Sequence, residues 1–164
     1  MEGWLAKDIM STPPISVKSD TSLSEIIRVL DRHDIRGVPV TDYDGRVIGV
    51  VSEKDLRKYT HLIIGQPIRD LCAMYNTLEE QEGEARGGTT RSMDMLEAVA
   101  TATAGVVMTD LVITAKENTP FLEVIHMINQ NKINRIPIVD DDGRLTGVVS
   151  RKDVVRAIEQ WFNN

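Results

Sequence analysis

Two tetrads carry the chemistry that this chain most plainly offers: Ser52-Glu53-Lys54-Asp55 and Ser150-Arg151-Lys152-Asp153. In each, a serine stands three positions before a carboxylate, where an apolar run gives way to a helical pattern. An ionised carboxylate only accepts hydrogen bonds, and its two oxygens can take both hydroxyls of a sugar diol at once. A helix N-terminus adds unpaired N–H groups and a partial positive charge, which together suit a phosphate. The same spacing also describes a plain capping box, in which serine accepts from the third N–H and the acid bonds back to the cap. The two readings are compatible, because a capped terminus can still bind.

Other reactive groups offer less. His33, His61 and His126 share no metal-ligand spacing with one another or with Cys72. Cys72 stands without a neighbouring base or second thiol, so a structural role in a reducing cytoplasm is expected. Gly87-Gly88-Thr89-Thr90 lacks the lysine pattern of a phosphate loop. No activated nucleophile, acid–base pair or metal cluster is visible, and no enzyme activity is expected. The net charge of −6 argues against a direct nucleic-acid binder, which needs surplus Lys and Arg. No apolar run is long enough to span a bilayer, and the first residues do not read as a signal peptide, so a cytoplasmic chain without membrane contact is expected.

The sequence repeats itself. Residues 45–56, Gly-Arg-Val-Ile-Gly-Val-Val-Ser-Glu-Lys-Asp-Leu, return at 143–154 as Gly-Arg-Leu-Thr-Gly-Val-Val-Ser-Arg-Lys-Asp-Val, an offset of 98. The offset holds without a gap back to Met10 and Met108, and about 18 of 48 aligned pairs are identical. Chance does not produce that register.

Each copy therefore positions its tetrad with the same elements. Short apolar stretches at 15–17 and 112–115 predict a strand. Leu23, Ile26, Ile27 and Leu30, and in copy two Phe121, Val124, Ile125 and Ile128, recur at helical spacing. Ser22 with Glu25 predicts a capping box, and Thr119-Pro120 predicts a cap ahead of a first-turn proline. Strands follow at 37–41 and 46–51, and at 136–139 and 144–149, joined by Asp44-Gly45 and Asp142-Gly143 turns that require positive φ. Pro39 and Pro137 read as edge-strand residues or as part of a ligand surface. A second helix opens near Glu53 and near Arg151. Residues 1–60 thus form a first repeat with its N-terminal segment, 61–107 a link, and 108–164 a second repeat. Within the link, 76–91 reads as an acidic, Gly-rich mobile loop, and 92–103 as a helix lined by Met93, Leu96 and Val99. A unit of roughly 50 residues buries too little to stand alone, so the copies are expected to stack into one module.

The doubled pattern resembles the CBS domain, and the chain resembles a stand-alone CBS pair, or Bateman module. The resemblance rests on Ile35-Arg36-Gly37-Val38-Pro39-Val40 through Gly49-Val50-Val51-Ser52-Glu53-Lys54-Asp55, and on Ile133-Asn134-Arg135-Ile136-Pro137-Ile138 through Gly147-Val148-Val149-Ser150-Arg151-Lys152-Asp153. It implies an α+β fold of tandem CBS repeats, packed sheet to sheet about a pseudo-twofold axis. It also implies a non-catalytic sensor that takes AMP, ADP, ATP or S-adenosylmethionine as a regulatory ligand in clefts between the copies, with no obligatory cofactor. Asp55 and Asp153 would hold the ribose, helped by Ser52 and Ser150. Arg36, Arg135, Lys54, Lys152 and Arg151 would neutralise phosphates, and Val38-Pro39 and Ile136-Pro137 would face the purine. Ser16, Ile113 and Thr114 would read the base edge, with Gly37 and Asn134 completing the two sites. Gly37 stands where copy two has Arg135, and Glu53 where it has Arg151, so the Asp153 site is expected to favour the more charged nucleotide. A homodimer and an effector protein, not identified by the sequence, complete the expectation. The competing reading is a dimerisation or docking scaffold that binds no ligand.

Overall fold

A computed structural model of the protein describes residues 3–64, 99 and 101–163. Cys72, the 76–91 loop and most of the 92–103 helix lie outside the described residues. Among the described residues the elements follow in order: α1 (Ala6–Ile9), β1 (Val17–Lys18), α2 (Leu23–Arg32), β2 (Gly37–Thr41), β3 (Val47–Ser52), α3 (Glu53–Ile64), α4 (Ala104–Val107), β4 (Ala115–Lys116), α5 (Phe121–Gln130), β5 (Arg135–Val139), β6 (Leu145–Ser150) and α6 (Arg151–Phe162). They make two three-stranded sheets, ordered β1-β2-β3 and β4-β5-β6. The fold is α+β, with the same strand-helix-strand-strand-helix order twice.

The apolar periodicity becomes burial. Leu23, Ile26 and Leu30 of α2, and Phe121, Val124 and Ile128 of α5, turn into the core. Gly45 and Gly143 take φ of 84° and 81° in the hairpin turns, a region that costs any residue with a Cβ. The Asp140 carboxylate fixes one of these turns by accepting from the N–H groups of Asp142 (3.0 Å) and Arg144 (2.8 Å).

Some local expectations need correction. The first strand of each repeat is only two residues long, at 17–18 and 115–116, and begins later than the apolar stretches suggested. Pro120, not Thr119, caps α5, without a side-chain bond; the Thr119 hydroxyl instead accepts from Lys116 N–H at 3.0 Å. Of the expected Ser22–Glu25 capping box only the serine half forms, the Ser22 hydroxyl accepting from Glu25 N–H at 3.3 Å. Pro137 and Pro39 sit on β5 and β2, the central strands of their sheets, and are no edge residues. The register shows why proline is tolerated there. Pro137 faces Val148, which gives both of its backbone groups to Ser11 on its other side (2.9 and 3.3 Å). The pair is therefore a non-hydrogen-bonded one, in which Pro137 owes β6 no N–H.

The chain divides into two compact units that do not follow the repeat boundaries. One holds residues 1–16, 41–49 and 110–164; the other holds 17–40 and 50–109. In the first unit the N-terminal leader is bound to second-repeat elements. Ala6 and Lys7 donate to the carbonyls of Thr119 (2.8 Å) and Glu117 (3.0 Å), and Phe121 N–H donates to Trp4 (2.9 Å). Ala6 and Ile9 join Phe121, Val124, Ile128, Ile136, Ile138, Val149 and Ala157 in one apolar cluster. Trp4 meets Phe121 edge-on, with ring centroids 6.1 Å apart.

The second unit repeats this arrangement 98 residues on. Ala104 and Gly105 donate to Thr21 and Ser19 (both 2.8 Å), and Leu23 donates to Ala102 (2.9 Å). Thr109 exchanges two 3.0 Å bonds with Val50, as Ser11 does with Val148. Each leader thus completes the core that belongs to the other copy's sequence.

Candidate functional site

The two Ser-x-x-Asp tetrads open α3 and α6. Strand β6 ends at Ser150, whose extended backbone (φ −109°, ψ 168°) turns the chain into α6. Ser150 N–H and Oγ donate to Asp153 Oδ2 at 2.8 and 2.6 Å, and Ser150 Oγ accepts from Asp153 N–H at 3.4 Å. Ser52 and Asp55 do the same, with Ser52 N–H 2.9 Å from Asp55 Oδ2. Both carboxylates therefore serve as caps, as their spacing allowed.

The second oxygen of each carboxylate is where the sites become informative. Ser11 Oγ donates to Asp153 Oδ1 at 3.1 Å, and Thr109 Oγ1 donates to Asp55 Oδ1 at 3.3 Å. Ser11 and Thr109 are the leader residues that pair with Val148 and Val50, so a single strand-edge contact delivers each hydroxyl. Sequence reasoning missed both, although their shared hydroxyl at the 98-residue offset was a usable signal. It also missed Arg156, whose Nη2 lies 2.6 Å from Asp153 Oδ1. Asp153 is 6% exposed, whereas Asp55 is half-buried.

The remaining candidates fall into two groups. In the second repeat, the β4-β5-β6 order brings Thr114, just before β4, level with Pro137, and pairs Arg135 with Ser150 across β5 and β6. Arg151 lies along the start of β5, donating to Asn134 Oδ1 (3.1 Å) and to the Ile133 carbonyl (3.3 Å). Ile136 and Val38 are 0% exposed, and Pro137, Pro39 and Gly37 are buried beside them. Ile113 and Thr114 are half-buried; Ser16, Arg36, Lys54, Lys152 and Asn134 are exposed. In the first repeat, Glu53 N–H donates to the Arg36 carbonyl at 3.2 Å, the counterpart of Arg151 N–H to Asn134 at 3.0 Å.

A family model described as the CBS domain matches residues 6–61 and 104–160. The chain belongs to the CBS domain family. The two matched segments are the two copies found by self-comparison, with their leaders included. The chain is similar to protein MJ1426 of Methanocaldococcus jannaschii, at 33% identity over 96% of this chain and 92% of that protein. The chain spans 23% of the length of longer relatives it also matches. Among solved structures it is similar to the CBS domain pair of protein MJ0100 in complex with 5'-methylthioadenosine and S-adenosyl-L-methionine. That match has a TM-score of 0.68 and 26% identity, covering 96% of this chain and 98% of the other. It is likewise similar to CBSX2 of Arabidopsis thaliana in complex with AMP, with a TM-score of 0.69 and 25% identity over 98% and 99%. No described helix is long and apolar enough to cross a membrane.

Proposed function

We propose that this CBS pair is a non-catalytic regulatory module that binds an adenosine-containing ligand at the carboxylates opening α3 and α6. The observation that carries this reading is the matched pair of acids at capped helix starts, each with a hydroxyl on Oδ1 that a sugar diol can replace. Exchanging one hydroxyl donor for another leaves the carboxylate satisfied in both states. Arg36, Arg135, Lys54, Arg151 and Lys152 supply positive charge for a phosphate or sulfonium-linked chain, and the backbone beside Thr114 and Ser16 offers groups that read a base edge. The complexes of the two similar structures with AMP and with S-adenosyl-L-methionine support the ligand class. Binding then biases one conformation over another, by no more than the ligand's preference between them, and a partner protein responds. Exposed Leu122, Val155, Trp161 and Phe162 supply apolar surface for a homodimer.

A second reading is a docking scaffold that binds no ligand. It is favoured by the donors that each carboxylate already finds within its own chain, four on Asp153 and three on Asp55. Calorimetric titration with AMP, ATP and S-adenosylmethionine separates the two, and mass spectrometry of the denatured, purified protein identifies any nucleotide carried along. Binding of one of them in the micromolar range supports the sensor; no binding of any at millimolar concentration rejects it.

A further inference from the structure

The two carboxylates differ in one charged contact. Asp153 receives Ser150 N–H and Oγ on one oxygen and Ser11 Oγ and Arg156 Nη2 on the other. A carboxylate has about four acceptor positions, so this one is saturated. Asp55 receives Ser52 N–H and Oγ and, on Oδ1, only Thr109 at 3.3 Å. The residue of α3 that corresponds to Arg156 at the 98-residue offset is Lys58, exposed and without a bond to Asp55. The Arg156 side chain is 55% exposed while that of its partner Asp153 is 8% exposed. The arginine therefore reaches inward from solvent and can swing back to it, which the helix cap cannot do.

We propose that Arg156 is an internal competitor for the sugar site of the second repeat, a latch absent from the first. Resting on the adenosyl-binding reading above, this makes the sites unequal. A ribose reaching Asp55 displaces one long hydroxyl bond, whereas a ribose reaching Asp153 must also displace a 2.6 Å charge-assisted bond. For a nucleoside without phosphate, the Asp55 site fills first, and the Asp153 site answers only at higher ligand concentration.

Adenosine, which has no phosphate to reward a released arginine, is the probe. Its calorimetric titration into the full chain is compared among the unaltered protein, Arg156→Gln, Arg156→Lys and Lys58→Gln. Arg156→Gln strengthens the weaker binding step about fivefold, the upper range for a part-exposed ion pair. Arg156→Lys, which keeps the charge and loses the planar fork, falls between it and the unaltered protein, and Lys58→Gln changes neither step. Unchanged or weakened adenosine binding in Arg156→Gln, with the unaltered protein still binding, overturns the latch and leaves the adenosyl reading standing. Failure of all four proteins to bind adenosine at millimolar concentration overturns both.

Discussion

Ser11 donates its hydroxyl to Asp153 Oδ1 at 3.1 Å across 142 residues of sequence, and Thr109 repeats the contact with Asp55 at 3.3 Å. A leader that looks like a preamble is thus the outer wall of a carboxylate site. The same short strand-edge contacts, Ser11 with Val148 and Thr109 with Val50, set the position of both hydroxyls. Removing the hydroxyl alone is a mild change: Ser11→Ala is expected to lower stability by about 1 kcal/mol, read as a shifted urea midpoint with an unchanged slope.

Removing Asp153 is more severe, because three donors and a helix cap lose their acceptor together. Asp153→Ala is expected to destabilise by about 2–3 kcal/mol and to abolish adenosyl binding at that site. Asp153→Asn keeps one acceptor oxygen for the cap, so its melting temperature should lie much closer to that of the unaltered protein while binding is still lost. Thermal melts run beside titrations check the split; an Asn variant that binds normally would show that the charge holds no ligand.

The leader exchange predicts the behaviour of fragments. A peptide of residues 108–164 lacks Trp4, Ala6 and Ile9, which share the cluster around Phe121 and Ile128. It is expected to be unfolded by circular dichroism, and a synthetic 1–16 peptide supplied in trans should restore helical signal. A fragment that melts cooperatively without the peptide would contradict the packing described above.

Met10 lies over Gly147 so closely that an added Cβ would stand 2.4 Å from its sulfur. Gly147→Ala must push that side chain aside and is expected to cost about 1–2 kcal/mol. Combined with Met10→Ala the loss should be smaller than the sum of the two single changes, since the clash disappears with the thioether. Denaturant titration of the four-protein cycle measures this coupling.

Gly143 contributes through backbone conformation instead of space, with φ of 81° and nothing near its missing Cβ. Gly143→Ala should cost about 1 kcal/mol and Gly143→Asn less, because asparagine enters the left-handed region more readily. Equal melting temperatures for the two variants would argue against a conformational origin.

Much of this architecture was legible in sequence because it is periodic or repeated. Leu23, Ile26 and Leu30 announced a buried helix face, Asp142-Gly143 announced a turn, and the offset of Ser52/Asp55 against Ser150/Asp153 announced two equivalent helix starts. Helices α1 and α4 were not legible: four residues are too few to show a period. Pro137 misled because its neighbours say nothing of which partner leaves its missing N–H unneeded; that depends on Ser11, far away in sequence. The Arg156–Asp153 pair was missed for a simpler reason. A basic residue three positions after an acid usually reads as a solvated helix face, and only the burial of Asp153 gives the pair its weight.

Reciprocal trading of leaders is what two identical short chains do when each lends its first residues to its twin. Joined end to end, such twins no longer need to find one another, and the connector has only to deliver residues 102–109 to the opening half. Because closing a longer connector adds little entropy cost, inheritance can lengthen or rewrite the stretch between the halves while leaving the Ser11 and Thr109 contacts to both carboxylates in place.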